Sequence, residues 1–423
     1  MDYFSSDYFT YKNNILYCEE VSVPEIIKAA GTPVYIYSKK FLTDQYKEFS
    51  EAFKEIPHTI FYAAKSNFNL SVIKTFLSLG SGVDVNSQGE LFRALKAGAS
   101  PEKIILSGVG KTEEEITLAI EKNLLMIKAE SEQEIEAINE IASRMKKTAH
   151  VAIRVNPDVD PKTHPYISTG LGENKFGIDS ESSLKIFENY KKYSNIKFTG
   201  IDMHLGSQIT ALEPFTDAVD KLSEIFFKVK DYGLTLDHFD VGGGVGVKYN
   251  NEDVFTIREY AEALMPKLKK LKCRVFFEPG RYLNANGGIL AAKIIYTKTN
   301  SSLRDKNFII VDAAMNDLLR PSFYNAYHHI QPVKLNSERN DITADIVGPV
   351  CESGDYFAKN RVVADCKRGE HLAIMSAGAY SVVMSSNYNA RRKPPEVLVS
   401  GNKFSIVRSR ETFDHLIYDE KTE

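Results

Sequence analysis

From Thr32 onward, short apolar runs alternate with longer segments whose apolar residues recur every three or four positions. This is the signature of strands alternating with amphipathic helices. After a leading strand near residues 34–37 and a helix through Phe53, the spacing predicts strands near 59–63, 83–86, 103–106, 124–128, 149–155, 198–203, 238–241 and 274–277. Parallel strands joined by helices produce this rhythm. Eight such units in about 220 residues predict an α/β fold closed as a (β/α)8 barrel, because an open doubly wound sheet rarely needs so many. An insertion at 156–177 interrupts the pattern with Asp158, Asp160, His164, Tyr166 and Lys175. A loop that long in a compact domain is usually functional or disordered, and on this side of a barrel a lid is expected. Residues 1–31 alternate weakly and read as a strand or arm packed on another domain; the echo of Asp2-Tyr3-Phe4 in Asp7-Tyr8-Phe9 is taken as chance.

Length adds a second domain to this picture. The 423 residues exceed one ordinary core, whereas a barrel takes roughly 250. Net charge is −3, from 53 basic and 56 acidic residues, without a long basic block, so a nucleic-acid partner is not expected. The longest apolar runs are strand-sized and the first ten residues lack the pattern of a signal peptide, so no membrane partner and a cytoplasmic location are expected. Cys18, Cys273, Cys351 and Cys366 are scattered, with no C-x-x-C pair and no histidine at ligand spacing. Reduced thiols and no metal follow.

Barrel chemistry gathers at the C-terminal ends of the strands, and the unusual clusters all fall there. The run Phe61-Tyr62-Ala63-Ala64-Lys65-Ser66-Asn67 ends an apolar strand on a lysine. Strand ends often carry lysine to water, but a partly desolvated ammonium loses its proton more readily and becomes an amine nucleophile. Asp84 stands in Gly82-Val83-Asp84-Val85, and His204 in His204-Leu205-Gly206-Ser207-Gln208. His204 is either a satisfied core histidine or a flat ring against a planar cofactor. Gly242-Gly243-Gly244-Val245-Gly246 makes either a flexible turn or, with Gly206-Ser207, a cradle of N–H groups for a phosphate. Glu278 in Glu278-Pro279-Gly280-Arg281 is either a turn carboxylate or a partner for a ring nitrogen. A lysine, a phosphate cradle, a stacking ring and a carboxylate on one rim describe a site for pyridoxal phosphate, whose aldehyde needs an amine.

These stretches, together with Gly89-Glu90-Leu91, His164-Pro165-Tyr166-Ile167-Ser168-Thr169-Gly170, Met315-Asn316-Asp317-Leu318-Leu319-Arg320-Pro321, Gly348-Pro349-Val350-Cys351-Glu352-Ser353-Gly354-Asp355 and Gly378-Ala379-Tyr380, resemble the diaminopimelate decarboxylases over nearly the whole chain. Those are barrel-type, alanine-racemase-like pyridoxal phosphate enzymes. Departures are small: Ser66 stands where the family often has alanine, and Arg391-Arg392-Lys393 follows Tyr388-Asn389.

The resemblance implies a cofactor-binding barrel over 32–285 and a mainly β second domain from 1–31 and 286–423. Residues 308–312, 342–347 and 397–399 agree locally, reading as β-branched strands between Asn, Gly and Pro turns. It further implies that Lys65 holds the cofactor, that Glu278 faces the ring nitrogen, and that Asp84, His204, Ser207, Gly243, Gly244, Gly280, Arg281 and Tyr380 complete that site. Racemases of the superfamily place an arginine at the nitrogen instead, which leaves a weaker electron sink. Lys65 or Cys351 returns the proton after carbon dioxide leaves. Arg281, Arg320, Tyr324, Glu352 and Tyr380 are implied for the substrate, in a head-to-tail homodimer whose Cys351 and Glu352 reach the other copy's site. Two arginines suit a substrate that keeps one carboxylate, so meso-diaminopimelate, converted to lysine, is favoured over ornithine or lysine. The alternatives are a related basic amino acid or carboxynorspermidine decarboxylase, and a small cofactor-holding protein of the same barrel type, which would lack 348–355.

Overall fold

The computed structural model describes residues 4–161, 169–170, 174–301 and 306–423. The chain divides into two compact units, Gln45–Lys248 with Glu252–Tyr282, and Met1–Asp44 with Tyr249–Asn251 and Leu283–Glu423.

The first unit is the expected barrel. Its strands are β1 (His58–Ala63), β2 (Gly82–Val85), β3 (Ile104–Leu106), β4 (Met126–Ala129), β5 (Ala149–Asn156), β6 (Ile196–Asp202), β7 (His238–Asp240) and β8 (Arg274–Phe277). Each pairs in parallel with the next, and β8 returns to β1 through Phe277 opposite Ile60, which closes the ring. Most bounds lie within a residue or two of the sequence expectation. All the α-helices between the strands except Glu213–Lys228 start on side-chain caps, among them complete capping boxes at Thr112 with Glu115 and Thr256 with Glu259.

Phe61 on β1, Ile105 on β3, Met126 on β4, Ala152 on β5 and Phe276 on β8 meet in one buried cluster, so the barrel is a packed core rather than a pore. Side chains two apart share a strand face. Lys128 therefore follows Met126, and Glu278 follows Phe276, on the inward face one layer nearer the C-terminal ends.

The second unit is mainly β. A 13-residue strand, Gly288–Asn300, pairs antiparallel with Val34–Ser38, His371–Ile374 and Lys306–Val311. Ile330–Pro332, Asp341–Val347, Tyr356–Ala364, Glu396–Ser400 and Lys403–Arg408 complete the larger sheet. The arm forms a small sheet from Phe9–Lys12, Ile15–Cys18 and Val21–Ser22. Phe9, Leu16, Val34, Ile36, Ile289, Ala291, Val397 and Val399 share its core.

The division falls later than residue 32. Every residue of Val34–Ser38 is buried, and a strand buried on both faces needs partners on both edges. It finds them in Gly288–Ala291 and Glu396–Val399, so this leading strand belongs to the β unit.

Candidate active site

Strand β1 ends in a short 3-10 turn, Ala64–Ser66, that lifts Lys65 from the barrel floor. The Lys65 side chain is 32% exposed, and its Nζ lies 3.6 Å from Asp84 Oδ2. Register explains the meeting, since Ala63 pairs with Asp84 across β1 and β2. Asp84 is fully buried, and its Oδ1 has no hydrogen-bond partner among the described residues. Gly280 closes the other side of the turn: a Cβ there would lie 3.0 Å from Ser66 Cβ and 3.2 Å from Ala63 Cβ. Lys65, Asp84, Glu278 and Gly280 thus lie at three neighbouring strand ends.

His204 and the glycines interlock after β6 and β7. The Gly243 N–H donates to His204 Nδ1 at 3.2 Å, which fixes the ring orientation. Burial, helped by Lys65, Arg154 and Lys128, pushes the His204 pKa well below the ordinary histidine value. The ring is therefore neutral, with its proton on Nε2. A Cβ on Gly243 would sit 2.3 Å from the Glu278 carbonyl oxygen, and one on Gly244 (φ +108°) 2.9 Å from that of Gly206. Side chains are excluded, and backbone N–H groups line the end of the strand. Ser207 Oγ accepts from Arg281 Nη2 at 2.9 Å and Nε at 3.1 Å. That pairing fixes the nearly buried guanidinium beside the cradle.

Sequence reasoning missed Lys128. It is 1% exposed and donates to Asp202 Oδ1 at 2.8 Å, to Asp240 Oδ2 at 2.7 Å and to Glu278 Oε1. The signal was present: Lys128, Asp202 and Asp240 are single charges flanked by apolar residues within strands. Arg154 Nη1 to Glu130 Oε1, at 3.0 Å, is a second buried pair that the sequence did not flag.

Of the expected lid at 156–177, His164 and Tyr166 lie outside the described residues, whereas Asp158, Asp160 and Lys175 lie within them. Its described base is tied to the site: Thr169 N–H donates to the Leu205 carbonyl at 2.9 Å, and its hydroxyl to that of His204 at 2.7 Å.

Arg320, Tyr324, Cys351, Glu352 and Tyr380 lie in the second unit. Arg320 opens the helix Arg320–Tyr324, buried, with its guanidinium 4.9 Å from the Tyr249 ring centroid. The turn carrying Cys351 and Glu352 is exposed but pinned. Asp355 accepts from the N–H of Val350 at 2.8 Å and of Met315 at 2.7 Å, and Ser322 Oγ donates to the Gly354 carbonyl at 2.6 Å. The N–H of Cys351 donates to Asn389 Oδ1 at 2.8 Å. Arg320, Tyr324, Cys351 and Glu352 therefore come from neighbouring segments. Tyr380 has a left-handed backbone, φ 53°. Of the departures from the family pattern, Arg391 is structural, its Nε donating to Asn316 Oδ1 at 3.0 Å.

Asp317 gives this unit a pH dependence. Burial raises its carboxyl to about 7, against the pull of the Ala314 N–H, Arg391 and Arg410. Between the ordinary aspartate value and that pH the folded state keeps a proton that the unfolded chain releases. Stability therefore falls as pH rises through this window, by about 1.4 kcal/mol per unit. Asp317→Asn stays neutral, so its melting temperature should fall less than the wild type's between about pH 5 and about pH 7. Equal slopes would show that Asp317 is ionised in the folded state.

The rim residues fit pyridoxal phosphate: an accessible amine, an orphaned buried Asp84 oxygen beside it, a glycine cradle closed to side chains, a neutral imidazole and a carboxylate. The comparisons agree. Residues 40–285 match the family described as pyridoxal-dependent decarboxylase, pyridoxal binding domain. The diaminopimelate decarboxylase of Aquifex aeolicus is 44% identical over 97% of this chain and 96% of its own. The structure of diaminopimelate decarboxylase from Helicobacter pylori complexed with L-lysine superposes with a TM-score of 0.89 at 40% identity, covering 93% of this chain and 98% of that one. The enzyme from M. jannaschii in co-complex with L-lysine gives 0.93 at 34% identity, over 99% and 98%. The chain belongs to the diaminopimelate decarboxylase family of pyridoxal-dependent decarboxylases.

Proposed function

We propose that this protein removes one carboxylate of meso-2,6-diaminopimelate as carbon dioxide and leaves L-lysine, the last step of lysine biosynthesis. The observation that carries the reading is the convergence of Lys65, Glu278, His204 and the Gly243–Gly244 backbone at one end of the barrel. Relatives bearing this activity's name, two of them solved with L-lysine bound, support it.

Pyridoxal phosphate, when bound, supplies an aldehyde for the substrate amine and a protonated ring that accepts the electron pair left by carbon dioxide. Lys65 Nζ, partly exposed at the strand end, would be the amine that holds the cofactor's aldehyde. Gly244, Ser207, Gly280 and Arg281, with Tyr380, would hold the phosphate end, in a cradle that Gly243 keeps free of a side chain while its N–H serves His204. His204, neutral and fixed through Gly243, would offer its flat ring to the cofactor and repel no cation. Glu278 would meet the ring nitrogen, where a negative charge would favour the protonated form. Asp84 steadies the Lys65 ammonium. Lys65 Nζ or Cys351 Sγ returns the proton to the carbon that lost its carboxylate.

For the substrate, Arg281 and Arg320 bind the retained carboxylate with Tyr324 and Tyr380, and Glu352 takes the distal ammonium. Cys351 and Glu352 enter the site of the other copy in a head-to-tail homodimer. We place the enzyme in the cytoplasm, which suits four free cysteines.

Product analysis on a panel of meso-diaminopimelate, lysine, ornithine and carboxynorspermidine tests the reading. A site built for a second charged end should prefer diaminopimelate by at least about a hundredfold in kcat/KM. Preference for any of the others would replace it with a different decarboxylase. Glu278→Gln should keep the cofactor bound, because the phosphate cradle and Lys65 survive, yet slow kcat by roughly a hundredfold or more. Near wild-type turnover would separate the electron sink from this carboxylate.

A further inference from the structure

Beneath the rim, Lys128 has three N–H donors and three carboxylate acceptors. Its Nζ contacts Asp202 Oδ1, Asp240 Oδ2 and Glu278 Oε1, so no donor of the ammonium is left over. The three carboxylates offer oxygens within 4.8 Å of one another, a spacing that would hold a cation. The cation present is a side chain of the barrel itself. Strands β4, β6 and β7 each place one member of this tripod on the inward face, and Glu278 follows β8.

Charge makes the arrangement consequential. One ammonium faces three acids, with Asp84 also near, so full ionisation would leave uncompensated charge in the core, which is costly. Burial, then Asp240 and Asp84, push the Glu278 carboxyl well up, and Lys128 pulls it down. Burial likewise raises Asp240 to about 6 against the pull of Lys128. The groups bearing on Glu278 are Lys128, Asp202, Asp240 and Asp84; Lys65 lies against Asp84, and neutral His204 is tied to Gly243.

We propose that Lys128 is a positioning residue for Glu278: anchored by Asp202 and Asp240, its ammonium fixes the Glu278 carboxyl group below the rim and supplies the positive charge that favours its anionic form. This rests on the proposed role of Glu278 at the ring nitrogen. A neutral Glu278 would hold no proton on that nitrogen, so Lys128 would govern the electron sink without touching cofactor or substrate.

Infrared titration of the apoenzyme tests it, with the carboxylic-acid band of Glu278 identified by its loss in Glu278→Gln. In Lys128→Met that band should persist to a pH higher by about one unit or more. In Asp240→Asn, which keeps an oxygen for the Gly242 N–H, it should vanish at lower pH than in the wild type. The kcat–pH profile of the holoenzyme should move in the same two directions. Lys128→Met should add less than about twofold to Glu278→Gln, because both act on one group. Unmoved titrations, or full additivity of the two substitutions, would overturn the proposal. If Lys128→Met does not fold, Asp240→Asn decides alone, and absence of the downward shift is then contrary. Unaltered turnover in Glu278→Gln would remove the ring-nitrogen role, whereas the apoenzyme titration would still judge Lys128.

Discussion

Lys65→Ala is expected to abolish turnover and the visible absorbance of the bound cofactor. The strand end and its 3-10 turn bring this amine to the rim, partly exposed and beside Asp84. Loss of the amine leaves the cradle but removes the only covalent anchor. Borohydride reduction of the wild-type holoenzyme followed by peptide mapping should label Lys65. The rival lysine within the barrel is Lys128, and it is unsuited to the task. Burial alone would lower its pKa, but Asp202, Asp240 and Glu278 outweigh burial and hold it well above the ordinary lysine value. A permanently protonated amine is no nucleophile. A label on Lys128, or on any lysine other than Lys65, would contradict the assignment.

Re-associated mixtures of Lys65→Ala and Glu352→Ala subunits are expected to regain activity that neither homodimer has. Glu352 lies on an exposed turn held by Asp355 and Ser322, and its own carboxylate adds one exposed, 3.3 Å bond from the Gly354 N–H, so Glu352→Ala should fold and fail chiefly in holding the distal ammonium. If each site takes Lys65 from one copy and Glu352 from the other, a mixed dimer collects both defects in one site and neither in its second. Random pairing across a two-fold dimer then restores up to about a quarter of wild-type activity. Absence of recovery, with subunit exchange verified, would place Glu352 in the site of its own chain.

The barrel was legible because its signal is local. Apolar strands and amphipathic helices repeat, and every chemical cluster follows a strand. Candidate rim residues could be named only because the lysine, the glycine run, the histidine and the carboxylate all follow strand ends and match one family's pattern; each alone also reads as a surface lysine, a turn or a core residue. The second unit was less legible. Gly288–Asn300 mixes buried and exposed stretches, and its partners lie far away in sequence, so no local period marks it. The leading strand, Val34–Ser38, was grouped with the barrel domain, though not among its eight strands, because a strand's sequence does not say which sheet it joins. Lys128 was overlooked for a related reason: a lone lysine in an apolar strand resembles a strand end, and only the closed ring brings Asp202, Asp240 and Glu278 around it.

Decarboxylation of one end of meso-diaminopimelate with pyridoxal phosphate can be followed from both products at once. The most direct measurement follows lysine and carbon dioxide together when purified holoenzyme is given meso-diaminopimelate. Equimolar L-lysine and carbon dioxide, lost when the cofactor is stripped and restored when it is returned, is the predicted result. No carbon dioxide from this substrate, or release that persists without the cofactor, would contradict it.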